Sequence, residues 1–464
     1  MERFGWRDPF WNGKRKPFVI ATVMSGLLLI LLFLGNLSYL YGSIYRDGSR
    51  VKGLNILAVN YDGGVIGQSL EAAYSSLRGD SFPTLHFQPA TQYPTIDDVR
   101  NAVCKGDYWA AIIAQDGSST RLAAALTGTE TTTYNASNTL TYVYNGARYP
   151  TVQSGYIVAN METLIGTAGG VYDSINGTYA ASTVDTSNAN AVRALLNPIT
   201  SSDIDIMPTN QGDRVLYNTV TMVLPIIQQF FFLMAVNGIS NQFGIYGHLK
   251  TARVGTIRFL MAFIYTFLAS LTVIGYIWAF RESWGINGNQ FVLSWMVIWL
   301  YMHVNFLVLD TVTAFIPISF LTFFVLTWVI LNITSTLFPF ELSPGFYRWG
   351  YVLPAHNAIT ILFQIWSGGC NNQLSRALPV LFGWEVFGLA AGVMGVFYRN
   401  RQARKAVLKE NGISEDGKTE SGADTLRGSV YSTDNEKPSG PPGLPMPFAN
   451  AVYERPKMRR RGTA

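Results

Sequence analysis

Leu27-Leu28-Leu29-Ile30-Leu31-Leu32-Phe33-Leu34 lies at the centre of an uncharged stretch running from Phe18 to Leu40. About 20 mostly apolar residues cross the roughly 30 Å of hydrocarbon in a bilayer, so this stretch is long enough to span. Five more follow it. Val215 to Val236 is interrupted by Pro225, Gln228 and Gln229, and Ile257 to Phe280 has Arg258 at its entrance. Phe291 to Leu309 is rich in Val, Trp and Leu, Thr313 to Leu337 begins shortly after Asp310, and Ala377 to Phe397 is the last. Charged residues are 14% of the 464-residue chain, against about 25% in soluble domains. The pattern predicts an α-helical polytopic membrane protein with six transmembrane helices, the fourth and fifth forming a tight hairpin. The first stretch reads as an uncleaved signal anchor, because the apolar part of a cleaved signal runs only about 7 to 15 residues and ends in small residues.

Charge is segregated along the chain. Lys14, Arg15 and Lys16 precede the first span, and Lys250, Arg253 and Arg258 follow the second with no acid among them. Arg399, Arg401, Arg404, Lys405 and Lys409 follow the last. Arg46 to Asp213 instead carries nine Lys/Arg and fifteen Asp/Glu, a net of −6. The positive-inside rule then predicts a multi-pass protein with both termini cytoplasmic and an acidic extracytoplasmic domain between the first two spans. The domain boundaries expected are a cytoplasmic N-terminus (1–17), the anchor (18–40), the extracytoplasmic domain (46–213), a five-helix membrane domain (215–397) and a cytoplasmic disordered tail (398–464). The net charge of +5 sums an acidic outer part and basic inner edges, and gives no support to nucleic-acid binding.

About 165 residues suffice for a domain with its own core. Leu54 to Asn60 reads as a buried strand stopping at Tyr61-Asp62-Gly63-Gly64, Ile66 to Leu77 as a helix, and Thr84 to Gln88 as a strand. Thr95 caps a helix running to about Cys104, with Asp98 three residues on in a variant of the capping box. Tyr108 to Ala114 and Thr139 to Tyr144 read as strands, Ser118 to Leu126 as a short helix, and Thr151 to about Ser174 as a longer one. Alternating strands and helices predict a small α/β sheet. Asn135-Ala136-Ser137 and Asn176-Gly177-Thr178 match the N-glycosylation pattern and make Asn135 and Asn176 the expected glycan acceptors. The two cysteines, Cys104 and Cys370, both fall on the oxidising side, so either a disulfide joins the domain to the last outer loop or both are buried thiols. Two cysteines and four histidines give no expectation of a metal site, and no cofactor is expected.

Several segments together resemble a known family. They are the anchor, Gly106-Asp107-Tyr108-Trp109-Ala110-Ala111-Ile112 within Val99 to Leu126, Asn197-Pro198-Ile199, and Met207-Pro208 with Gly212 before the second span. The most specific is Glu341-Leu342-Ser343-Pro344-Gly345-Phe346-Tyr347-Arg348-Trp349-Gly350-Tyr351-Val352-Leu353-Pro354-Ala355-His356-Asn357. From about residue 15 to 400 the chain resembles the fungal nitrosoguanidine-resistance membrane proteins. Their layout is similar to the permease half of type-2 ABC exporters. The resemblance implies a plasma-membrane protein linked to drug and mutagen resistance and to lipid distribution, with no catalytic residues to carry over.

Ionisable groups within a bilayer are costly and point to function by default. His303 and Glu385 fall near the middle of their spans, as do Gln228 and Gln229. The four either line one polar substrate pathway, with His303 and Glu385 as a proton-sensitive pair, or hold helices together by hydrogen bonds. Asp310 reads as an interfacial residue at the hairpin turn. Gly388-Leu389-Ala390-Ala391-Gly392 is a GxxxG match that packs the last span against a neighbouring helix or a second protomer. Segment 343–366 reads as re-entrant or interfacial, with Tyr347, Trp349 and Tyr351 at the outer interface or a lateral gate, or else as a loop packed on the outer domain.

No phosphate loop, GxSxG, HExxH or CxxC occurs, so no enzymatic activity is expected. The leading expectation is a protein that moves or redistributes lipids or lipophilic toxicants, its energy coming from an ATPase partner, an ion gradient or downhill flow. The alternative is a non-transporting regulator or scaffold acting through a partner. Membrane lipids are the expected partners, and a homo-oligomer is left open. The Gly-, Ser- and Pro-rich composition from about Asn411 predicts disorder.

Overall fold

The computed structural model describes residues 5–129 and 134–410. It is an α-helical polytopic membrane protein in which, among the described residues, six helices are long and apolar enough to cross a bilayer. The first, α1 (Arg15–Ser43), precedes an α/β domain, and the other five follow it.

The α/β domain is built on five strands, β1 (Asn55–Asn60), β2 (Thr84–Gln88), β3 (Ala110–Ala114), β4 (Leu140–Tyr144) and β5 (Ser201–Asp205), in the order β2-β1-β3-β4-β5. All pairs are parallel except β3 with β4. The central β3 reads Ala-Ala-Ile-Ile-Ala and is buried throughout, as a strand covered on both faces must be. Between the strands run α2 (Val65–Leu77), α3 (Ile96–Lys105) and α4 (Ser118–Leu126). Thr95 and Asp98 complete the expected capping box of α3. After β4, α5 (Pro150–Val152) passes through a π-helical turn into α6 (Ala159–Thr183), and α7 (Ala189–Leu196) leads to β5. The long helix therefore continues beyond Ser174. The sequence reading missed α7 and β5, because Ser201-Ser202-Asp203-Ile204-Asp205 is too polar for apolar periodicity to mark it.

The membrane part consists of α8 (Val220–Gln242), a short α9 (Ile245–His248), α10 (Thr251–Ala279), α11 (Gly288–Phe315), α12 (Ile318–Leu337), a short α13 (Pro354–Trp366) and α14 (Leu374–Glu410). The second span starts at Val220 rather than Val215, since Gly212–Leu216 forms a 3-10 turn. The fifth starts after Pro317, not at Thr313, and α11 runs on to Phe315. The hairpin of α11 and α12 is open rather than tight. α11 sits at the centre against α8, α10 and α14, while α12 packs mainly on α1, α8 and α13. Residues 301–307 of α11 are all buried, the signature of a helix surrounded on every side. The expected tail is also corrected at its start. Residues 398–410 continue α14, being rich in Arg, Lys, Gln and Ala, all good helix formers. The remainder of that expected disordered tail lies outside the described residues.

The α/β domain is seated directly on the bundle. Cys104, near the end of α3, is disulfide-bonded to Cys370 in the α13–α14 loop. Asn371 N and Asn372 N donate to the carbonyls of Cys104 and Lys105 at 2.5 and 3.2 Å. Gly106, which ends α3 with φ +88°, leaves room for this loop: a Cβ there would lie 3.1 Å from Asn371 Oδ1. Asn145 Nδ2 donates to Ser367 Oγ at 2.9 Å, and Tyr149 packs on Phe363 at 4.7 Å between ring centroids.

Candidate functional site

The structure brings two of the four polar mid-span residues together. His303 of α11 and Glu385 of α14 share a hydrogen bond of 2.7 Å between Nδ1 and Oε1. Phe259 and Phe263 of α10 flank the imidazole at 6.3 and 6.4 Å. Among the described residues His303 Nε2 and Glu385 Oε2 have no partner. The glutamines are placed otherwise. Gln228 bonds to the Tyr265 side chain on α10. Gln229 is fully buried with neither amide atom partnered among the described residues.

An apolar space lies one helical turn from the His303–Glu385 pair. A trough of about 550 Å³ runs between α10, α11 and α14, lined chiefly by apolar groups that include Phe259, Phe306, Leu389 and Val396. Phe259, Val393 and Phe397 on its wall are exposed on the outside of the bundle, so it faces the hydrocarbon sideways. Leu307 and Leu389 line it, each one helical turn after His303 and Glu385. Arg258 and Asp310 also line it.

These two belong to a charge cluster. The guanidinium of Arg258 donates to Asp310 and to the Tyr246 hydroxyl. Arg399 Nη1 lies 2.9 Å from Asp310 Oδ1, and Arg399 also donates to the Asp310 carbonyl and, at 2.5 Å, to Thr313 Oγ1. The three side chains are 4%, 6% and 9% exposed. Asp310 is therefore no interfacial residue at a turn: it faces inward because two arginines from α10 and α14 converge on it. Two cations against one carboxylate leave an excess positive charge.

The Gly388/Gly392 pair packs α14 onto α11 of the same chain. A Cβ at Gly388 would lie 2.9 Å from Leu307 Cβ. In segment 343–366, the 3-10 helix Gly345–Val352 lies at the edge of the bundle and α13 is buried almost throughout. Residues 354–366 form α13, enclosed by α11, α12 and α14 beneath the α/β domain. Tyr347 donates to the Tyr39 carbonyl at 2.9 Å, and Tyr347 and Trp349 pack on the Tyr39 ring at 4.9 and 6.2 Å. Both aromatics thus tie α1 to the bundle, helped by the Asn36–Thr327 hydrogen bond of 3.2 Å. Tyr351 instead packs on Phe340 and His356, under Arg376. These last residues border a polar chamber of about 150 Å³ that also contains Arg148, Tyr149 and Glu341. Burial there pushes the Tyr149 phenol up, with Glu341 adding to the shift.

The chain matches a family described as "Protein of unknown function (DUF3533)" over residues 25–390. It belongs to that family. It is also similar to an uncharacterized endoplasmic reticulum membrane protein of Saccharomyces cerevisiae, with 31% identity over 183 residues. That alignment covers 36% of this chain and 35% of the yeast protein, so the match spans about a third of the relative's length. No solved structure matches.

The family's matched residues run from α1 into α14 and so include His303, Glu385, Arg258 and Asp310 but not Arg399. Of the expected glycan acceptors, Asn135 is exposed at a turn. Asn176 lies within α6, its amide donating to the Tyr172 hydroxyl at 2.9 Å. The Arg258–Asp310–Arg399 cluster was not found by sequence reasoning. The available signal was a lone carboxylate at the edge of an apolar span, with two arginines at similar depth.

Proposed function

We propose that this is a plasma-membrane protein of the exporter-permease type, related to the fungal nitrosoguanidine-resistance proteins, that moves or redistributes lipids or lipophilic toxicants. The observation that carries the reading is the apolar trough between α10, α11 and α14, open to hydrocarbon, with the buried Arg258–Asp310 ion pair in its wall and the hydrogen-bonded His303–Glu385 pair one helical turn beyond it. An amphiphile can enter such a trough from within a leaflet without crossing water. Ionisable groups within and beside it, at membrane depth, are the costly features expected along a transport route. The loops at the α9–α10 end are basic, which supports cytoplasmic termini, and a disulfide at the opposite end suits an oxidising compartment.

The test is Glu385→Gln in the full chain. The amide is nearly isosteric, keeps a hydrogen bond to His303, and removes the charge. On this reading the variant reaches the membrane at normal abundance and loses resistance or lipid redistribution, and His303→Gln behaves alike. Full activity of Glu385→Gln would leave the pair as helix glue. Purified protein in liposomes separates the two roles considered. Flux by the protein alone supports transport, and flux only with a partner supports a regulator.

A further inference from the structure

The trough adjoins a second cavity of opposite character. The two share Thr251 and Phe397, and the second, about 770 Å³, is bordered by His248, Lys250, Arg401 and Arg404 with no carboxylate among its lining residues. One compartment is apolar and faces hydrocarbon, and the other is cationic and lies where α10 begins. We infer that together they bind one anionic glycerophospholipid from the leaflet at the basic end of the bundle. An acyl chain occupies the trough, and the head-group phosphate meets Lys250, Arg401 and Arg404.

Depth fits this assignment. α10 begins at Thr251, and at about 1.5 Å per residue Phe259 lies about 12 Å deeper along it. A lipid with its head at Lys250 would extend its chain in that direction. The excess positive charge of the Arg258–Asp310–Arg399 cluster lies in the wall of the trough, about 10 Å deeper along α10 than Thr251, and adds to the positive field that an anionic head meets at the rim. Glycine provides the space on two walls. A Cβ at Gly255 would touch only Val396, at 4.0 Å, and one at Gly392 only Leu307, at 3.8 Å. The basic rim comes from two stretches, 243–257 and 390–409, that contain no acid. Attraction to an anionic head is therefore not offset locally.

The inference rests on the amphiphile-handling reading above, but its test measures binding and not movement, so either can fail alone. The full chain is purified with an equimolar mixture of dioleoyl phosphatidylserine and dioleoyl phosphatidylcholine, and retained lipid is counted by native mass spectrometry. The expected result is a phosphatidylserine preference of about tenfold. The combined Lys250→Gln, Arg401→Gln and Arg404→Gln variant, altered only at solvent-facing positions, should lose that preference and still retain phosphatidylcholine. Gly255→Leu, which fills the trough, should lower retention of both lipids while the unfolding midpoint in SDS stays near wild type. Equal retention of the two lipids by the wild type overturns the inference, as does a preference unchanged in the triple variant or a retention unchanged in Gly255→Leu. Full displacement of the lipid by glycerophosphoserine, which has no acyl chains, would also overturn it by assigning the basic cavity to a soluble anion.

Discussion

Asp310→Asn is the sharpest test of how the basic end of the bundle is held. The substitution keeps the shape of the side chain and removes the only acid in the cluster. It leaves Arg258 and Arg399, 4% and 9% exposed, facing each other across a neutral amide. Removing one partner of a buried ion pair costs about 3–5 kcal/mol, because the remaining charge is left uncompensated. Here two like charges remain, so the upper half of that range is expected. The structure also predicts an asymmetry. Arg399→Gln leaves a neutral Arg258–Asp310 pair, still supported by Tyr246, and should cost clearly less than Asp310→Asn. In the double variant Asp310→Asn/Arg399→Gln one uncompensated charge is gone, and the coupling between the sites should amount to about 0.5–3 kcal/mol. The assay is equilibrium unfolding of purified protein in mixed micelles with rising SDS, followed by far-UV circular dichroism. If Asp310→Asn unfolds within about 0.5 kcal/mol of wild type, the range of an ordinary surface change, the cluster is hydrated and the argument fails. Equal losses for Asp310→Asn and Arg399→Gln would refute the excess-charge reasoning even if both were large.

Three further outcomes are expected. Gly388→Leu should destabilise by about 1–3 kcal/mol through overpacking against Leu307, with partial rescue by Leu307→Ala in the same SDS titration; no rescue would assign the glycine to another contact. Cys104→Ser should lower stability by about 2–4 kcal/mol, and a protease cut within the α/β domain of the wild type should yield fragments that separate on a gel only after reduction. Asn135→Gln should remove a glycan and shift mobility, whereas Asn176→Gln should not, because Asn176 lies inside α6 with its amide engaged; a shift with Asn176→Gln alone would reverse that ranking.

The α/β domain was largely legible because its signals are local. β2 and α4 match their expected bounds, since Thr84 to Gln88 alternates and Ser118 to Leu126 lies between turn residues. Thr95 and Asp98 close a capping box whose geometry is fixed within four residues. β5 escaped because an edge strand half open to water needs no apolar face, so its evidence is the register against β4. In the membrane part the number of spans follows from length and hydropathy, but neighbours do not. Thr313 to Leu337 directly follows the fourth span, which suggested a tight hairpin. Lipid is as apolar as Leu, so in a bilayer a helix gains little merely by touching its neighbour in sequence, and packing detail chooses the partners. α12 accordingly packs mainly against α1, α8 and α13, and meets α11 through long side chains such as Trp328, whose Nε1 donates to Asn305 Oδ1 at 2.8 Å.

The same limit explains why the pairing of His303 with Glu385 was legible in the sequence and that of Asp310 was not. A histidine and a glutamate at mid-depth have no reason to be there unless they meet something, so depth alone marks them. Glutamine is cheaper to bury, and depth alone wrongly grouped Gln228 and Gln229 with that pair. Arginine at the end of a span already has a reason, because positive charge there orients the helix whichever way the side chain points. Arg258 and Phe259 are adjacent, about 100° apart around the helix; Arg258 is 4% exposed and Phe259 46%. Topology rules count both positions by depth and are blind to that angle. The angle is set by a carboxylate 52 residues further on, itself held from 89 residues beyond by Arg399. A carboxylate is the informative member, since the positive-inside rule gives an acid at the basic end nothing to do. Asp310 among arginines of similar depth therefore had to be either solvated or paired. The open hairpin removes the first choice: with α12 splayed from α11, the face of α11 that carries Asp310 is covered by α10 and α14, and their arginines are the groups that cover it.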